Sequence, residues 1–88
     1  MLDFYFINQF KKDLKLAVKR RYDIDAIYDV ITDIIFEIPL PAHCRPHNLS
    51  GNLVKYTECH ALNDVLLLYE ADENKVTFSR LGTHSDLF

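Results

Sequence analysis

Hydrophobic positions change their period along this chain, and each change marks an element. Leu2 to Phe6 is short and aromatic-rich and precedes Asn8, which predicts a strand leading into a helix with Asn8 as its N-cap. Phe10, Leu14, Ala17 and Val18 then share one stripe at about 100° per residue, with Lys11, Lys12, Lys15 and Lys19 opposite, the pattern of an amphipathic helix. Leu16 falls among the lysines, a hint of contact with a partner. A second helix is predicted from an Asp23 cap to about Glu37, burying Ile27, Val30, Ile31, Ile34, Ile35 and Ile38. Pro39 and Pro41 end it.

Beyond that Pro-containing loop, Gly51 opens a run from Asn52 to His60, and Asp64 to Tyr69 follows across a turn at Leu62 and Asn63. Both runs read as strands. A polar turn at Asp72, Glu73 and Asn74 leads to Val76, Phe78 and Arg80, with Thr77 and Ser79 alternating, a half-exposed strand. The order β-α-α-β-β-β predicts an α+β fold: an antiparallel sheet of about four strands with an N-terminal helix hairpin packed on one face.

Composition narrows this further. A chain of 88 residues, 49% hydrophobic, is expected to form one compact domain over residues 1–88. Two glycines and three prolines are too few for a linker-rich chain. The longest unbroken apolar run, Val65 to Tyr69, is far below the ~20 residues that cross a bilayer, and no signal peptide pattern opens the chain. A cytoplasmic protein without membrane contact is expected, with Cys44 and Cys59 as free thiols.

Ten Lys plus Arg against thirteen Asp plus Glu leave a net charge of −3, which argues against coating nucleic acid through bulk electrostatics. The average conceals a split. Lys11, Lys12, Lys15, Lys19, Arg20 and Arg21 face only Asp13 in their stretch, whereas Asp23, Asp25, Asp29, Asp33 and Glu37 follow without a cation. Charge runs of this kind also form ordinary solvated faces. The acids at 25, 29, 33 and 37 repel along one helix face unless cations neighbour them, and the basic first helix is the candidate neighbour.

Candidate chemistry gathers beyond the second helix, where His43, His47, His60 and His84 occur with Asp64 and Arg80. Imidazoles, a carboxylate and a guanidinium on loops and strand ends suit proton transfer at a phosphodiester. His43, Cys44, His47, Cys59 and His60 also raise zinc. Their spacing argues against it, because Cys59 and His60 are adjacent on a strand and point to opposite faces. With only Gly51 and Gly82 there is no glycine-rich phosphate loop, so neither a metal nor any cofactor is implied.

Four stretches carry a resemblance: His47-Asn48-Leu49-Ser50-Gly51, Tyr56-Thr57-Glu58-Cys59-His60, Asp64-Val65-Leu66-Leu67-Leu68-Tyr69, and Arg80-Leu81-Gly82-Thr83-His84-Ser85-Asp86-Leu87-Phe88. Together they resemble the YafQ branch of the RelE superfamily of bacterial toxins. The C-terminal stretch is the most specific, and the resemblance covers nearly the whole chain. It implies a RelE-like fold and a metal-independent endonuclease that acts on ribosome-bound mRNA and is held inactive by a cognate antitoxin.

The resemblance also implies His47, His60, Asp64 and His84 as the catalytic group, Arg80 as the phosphate ligand and Phe88 as an aromatic near the RNA. Imidazoles that titrate near neutrality serve as base and acid, and a guanidinium fork binds two phosphate oxygens. Three positions depart from the family's usual pattern: Leu53 stands for Trp, Thr57 for Arg and Asn63 for Pro. Thr57 removes an expected phosphate-binding cation, and Lys55, two residues away on the same predicted strand face, is the candidate substitute. The antitoxin is expected on Lys11, Lys15 and Lys19, with ribosome and mRNA as further partners. A RelE-like binding module with lost or weak nuclease activity, engaging an antitoxin or the ribosome, is the alternative.

Overall fold

The computed structural model describes residues 1–53 and 55–88. Strand β1 (Asp3–Phe6) leads into α1 (Asn8–Lys19) and α2 (Ile24–Ile35). After a 3₁₀ turn at Ala42–Cys44 come the two-residue strand β2 (His47–Asn48) and a second 3₁₀ turn at Gly51–Leu53. Strands β3 (Thr57–Leu62), β4 (Val65–Ala71) and β5 (Lys75–Gly82) follow, and a single helical turn, α3 (His84–Leu87), ends the chain. The order β-α-α-β-β-β therefore holds, with β2 added.

The sheet runs β1-β5-β4-β3-β2, five strands, of which all pairs are antiparallel except β1 with β5. The expected purely antiparallel sheet is corrected at this edge. Alternation identifies a strand but not its partner, and here the intervening helices and strands supply the long connection that a parallel pair requires.

Both helices cover one sheet face. Phe6, Phe10 and Phe78 form its aromatic centre, with Phe6 and Phe10 stacked at 5.3 Å and each ring 5.4 and 5.7 Å from Phe78 respectively. Ile27, Leu67, Val76 and the thiols of Cys44 and Cys59 are fully buried around them. Asp23 caps α2 as expected, accepting from the Ala26 N–H at 3.1 Å. Ile7 rather than Asn8 holds the N-cap position of α1, with no side-chain cap bond.

Two expected core residues are exposed. On α1 the buried stripe is Phe10, Asp13 and Ala17, which leaves Val18 about 100° away and facing solvent. Ile38 follows Glu37, whose φ of 58° takes the chain out of helical periodicity after α2 has ended at Ile35. The basic and acidic patches also fail to pair: among the described residues, no α1 lysine bridges an α2 acid. No helix among them is long and apolar enough to cross a membrane.

Strand β5 is irregular where chemistry was expected. Leu68 pairs with Arg80 and Tyr69 with Phe78, so Ser79 is an extra residue on β5. Strict alternation would have set Arg80 with Val76 and Phe78. The bulge instead gives Leu81 to the core and brings Arg80 to the open face, opposite Leu68.

Candidate functional site

Cross-strand pairing builds two adjacent rows on the face away from the helices. One runs His47, Glu58, Leu68, Arg80, and the next His60, Leu66, Gly82. Leu66 and Leu68 are buried beneath the polar groups. Asp64 projects from the β3–β4 turn and His84 opens α3, beyond the end of β5. His60, Asp64 and His84 thereby line one open cleft of about 460 Å³, together with Asn63, Leu66, Thr83 and Ser85. His60 is reached from a second concavity as well, beside His43 and Arg45.

Neighbours hold His47 and Arg80. His47 Nδ1 lies 3.1 Å from the carbonyl oxygen of Arg45, and Nε2 lies 3.4 Å from Oε1 of Glu58, a buried carboxylate. Arg80 donates from Nε to Asp13 Oδ2 at 2.9 Å. The same oxygen accepts from the Leu81 N–H at 2.9 Å, while Asp13 Oδ1 accepts from Gln9 at 3.1 Å. Asp13 is only 7% exposed, so three donors satisfy a carboxylate that would otherwise be costly to bury.

His84 and Phe88 ride on α3, their rings 5.0 Å apart. Thr83 and Asp86 close that turn as a capping box, each side chain accepting from the other's backbone N–H. Arg20, just past α1, grips Asp86 with both terminal nitrogens, at 2.6 and 3.3 Å. This ion pair and the Thr83 N–H hold the Asp86 carboxyl well below the usual carboxylate range. Gly82 permits the close approach, since a Cβ there would lie 3.0 Å from Asp86 Cβ and Oδ2.

The family described as bacterial toxin of type II toxin-antitoxin system, YafQ, matches residues 2–88. The chain belongs to the YafQ family. The mRNA interferase toxin YafQ of Escherichia coli strain K12 is 36% identical over 87 residues, spanning 98% of this chain and 95% of the relative. In the crystal structure of the E. coli DinJ-YafQ toxin-antitoxin complex, a chain 35% identical superposes with a TM-score of 0.92, covering 99% of this chain and 97% of its own. A metal-bound toxin from Helicobacter pylori, 39% identical over the full length of both chains, superposes at 0.91.

Against the YafQ pattern, the remaining expected positions are distributed unevenly. Phe88 is exposed at the chain's end next to His84. Lys55 does not share a strand face with position 57, because β3 begins only at Thr57; its Nζ sits 5.2 Å from the Tyr56 ring centroid. Lys55 lines a separate concavity with Asn48, Glu70, Lys75 and Thr77, apart from the cleft. Thr57 pairs with the core residue Tyr69 and donates its hydroxyl to Asn48 Oδ1 at 3.0 Å, so alternation sets it on the face opposite Glu58 and His60. Lys11, Lys15 and Lys19 are exposed along α1.

Asp13, Glu58 and the Arg20–Asp86 pair were not anticipated. Asp13 carried a signal, an acid on the apolar stripe between Phe10 and Ala17, as did the Thr83-x-x-Asp86 spacing of a capping box. Among the described residues no group of three or more His, Cys, Asp and Glu is arranged to hold a metal ion. Both cysteines are unbridged, and burial pushes the Cys59 thiol up to about 12.

Proposed function

We propose that this toxin is a metal-independent endoribonuclease that cleaves ribosome-bound mRNA in the cytoplasm by general acid/base catalysis, with residues 1–88 acting as one domain. The observation that carries the reading is the single cleft that His60, Asp64 and His84 line, next to the row containing His47 and Arg80. The activity named for the E. coli relative, an mRNA interferase toxin, supports the same chemistry.

Cleavage without a metal requires three things: removal of the 2′-OH proton, stabilisation of the charge developing on phosphorus oxygens, and protonation of the departing 5′ oxygen. His47, His60 and His84 supply imidazoles for the proton transfers, each step typically worth 10²- to 10⁴-fold. Asp64, exposed at the cleft rim, orients a histidine or itself moves a proton. Arg80 holds the phosphate, and Phe88 stacks on a base beside His84. Lys55 contacts the RNA backbone away from the scissile group, as its separate concavity suggests. Thr57 faces the other side of the sheet, so loss of a cation there takes nothing from the cleft.

The antitoxin docks a segment of acidic or amphipathic character on the exposed lysines of α1, none of which bridges an α2 acid among the described residues. Reversing Lys11, Lys15 and Lys19 together to Glu is expected to weaken antitoxin affinity by about 10-fold or more, read by calorimetry. Unchanged affinity would move the antitoxin elsewhere. The nuclease itself is tested by primer extension on a message in a reconstituted translation reaction, with ribosomes and without, and with metal other than ribosomal magnesium chelated. Discrete cuts only in translated message, surviving chelation, support the reading. A folded protein that makes no cuts would instead be a binding module for the antitoxin or the ribosome.

A further inference from the structure

We propose that Asp13 is a positioning residue for the cleavage reaction, holding the Arg80 guanidinium so that its two terminal amino groups face the scissile phosphate. The proposal rests on the nuclease reading and names a residue from the first helix as part of its machinery. Strand β1 pairs with β5 only as far as Phe78, where the Ile7 N–H reaches the Phe78 carbonyl at 3.3 Å. Beyond that point the β1-side edge of β5 has no strand partner among the described residues, and α1 packs against β5. Asp13 covers the gap: Oδ2 accepts from the Leu81 N–H and from Arg80 Nε, both at 2.9 Å.

The geometry divides the guanidinium into a fixed and a free part. Nε is taken by a carboxylate that is itself buried and tied to the backbone, so the chain of Arg80 has one strongly favoured path. Its terminal amino groups have no protein partner among the described residues, and the side chain remains 32% exposed. An end-on fork of this kind matches two non-bridging oxygens. Because the Ser79 bulge has already turned Arg80 to the open face, backbone and carboxylate together set a donor pair in advance of the charge it stabilises.

Holding a donor in place differs from adding binding charge. Asp13 lowers the local positive potential, so its removal does not weaken attraction of RNA. It allows Arg80 to wander, and misplacement by about 1 Å costs up to about 100-fold in rate. The expected signature of Asp13→Ala, which removes the acceptor of both bonds, is a fall in kcat of about 10- to 100-fold with KM within about 3-fold of the wild type. Gln9→Ala, which removes only the donor to Oδ1, should stay within about 2-fold on kcat.

The experiment combines single-turnover cleavage of translated message by wild type, Asp13→Ala and Gln9→Ala with melting curves and ¹⁵N NMR of the arginine Nε–H groups. A slowly exchanging Arg80 Nε–H in the wild type, lost in Asp13→Ala together with the fall in kcat, is the expected result. Wild-type kcat in folded Asp13→Ala would overturn the proposal. So would a freely exchanging Arg80 Nε–H in the wild type, an observation that does not depend on how well any variant folds. An equal loss in Gln9→Ala would overturn it too, since any disturbance of α1 would then suffice. A protected Nε–H in a wild type that cleaves nothing would defeat the nuclease reading, and this role with it, while leaving the contact intact.

Discussion

At the β5 side of the open sheet face lie Arg80 and, past the strand's end, His84 on α3, and charged groups from the start of the chain fasten both: Asp13 takes Arg80, and Arg20 takes Asp86. On the other side, His47 sits in a two-residue strand held by pairing with Glu58 and Thr57 and by a contact to its own neighbour's carbonyl, at Arg45. The first side is clamped by side chains across the fold. The second is supported locally, between two 3₁₀ turns and next to Arg45, whose φ of 43° is left-handed. The contrast teaches that the Arg80 and α3 side is set in advance, whereas the His47 side has fewer long-range restraints and more freedom to adjust.

Removing the chemistry from either side should have the largest effect. His84→Ala and His47→Ala are each expected to slow cleavage by about 10²-fold or more, with melting unchanged because both side chains are exposed. Wild-type cleavage by His47→Ala would remove the locally held side from the site altogether. Primer-extension rates beside melting curves decide this.

Paired glycine substitutions probe the clamp more finely. In Gly82→Ala the new Cβ meets Asp86 at 3.0 Å, so α3 must shift. A loss of stability of about 1–3 kcal/mol is expected, with cleavage slowed by about 10-fold. Gly51→Ala meets nothing within 4 Å and costs only its left-handed backbone, φ 65°, about 1–2 kcal/mol with little change in rate. Equal rate losses from the two, in urea titrations and kinetics side by side, would erase the distinction between the sides.

The smallest expected effect concerns acid stability. Arg20 and the Thr83 N–H depress the Asp86 carboxyl, so the folded state holds this group ionised where the unfolded chain would protonate it. Its contribution is fully present above the unfolded value of about 3.9 and is lost as pH falls through the lower folded value. Arg20→Gln should therefore move the acid unfolding midpoint to higher pH, followed by circular dichroism. An unmoved midpoint would mean the exposed pair contributes nothing to folding.

The two kinds of support also explain what could be read from the sequence. Local signals located α1, α2 with its buried isoleucines, and the Asp23 cap, because they lie within a few residues. The parallel pairing of β1 and the bulge at Ser79 depend on partners far away in the chain, and alternation alone set Arg80 on the wrong face. Motif resemblance named His60, Asp64 and His84, which the fold gathers into one cleft. It was silent on their clamps, since Asp13 and Arg80 lie 67 positions apart and Arg20 and Asp86 lie 66 apart. Lys55 and Thr57 show the reverse error: nearness in sequence implied a shared face that the start of β3 removes.

The most direct test of the site is cleavage of a translated message by wild type and His84→Ala in parallel, mapped by primer extension, with melting curves to establish that both are folded. Discrete cuts by the wild type and their loss in the mutant at equal stability are the expected result. Undiminished cutting by folded His84→Ala would contradict the assignment of the cleft as the place where RNA is cleaved.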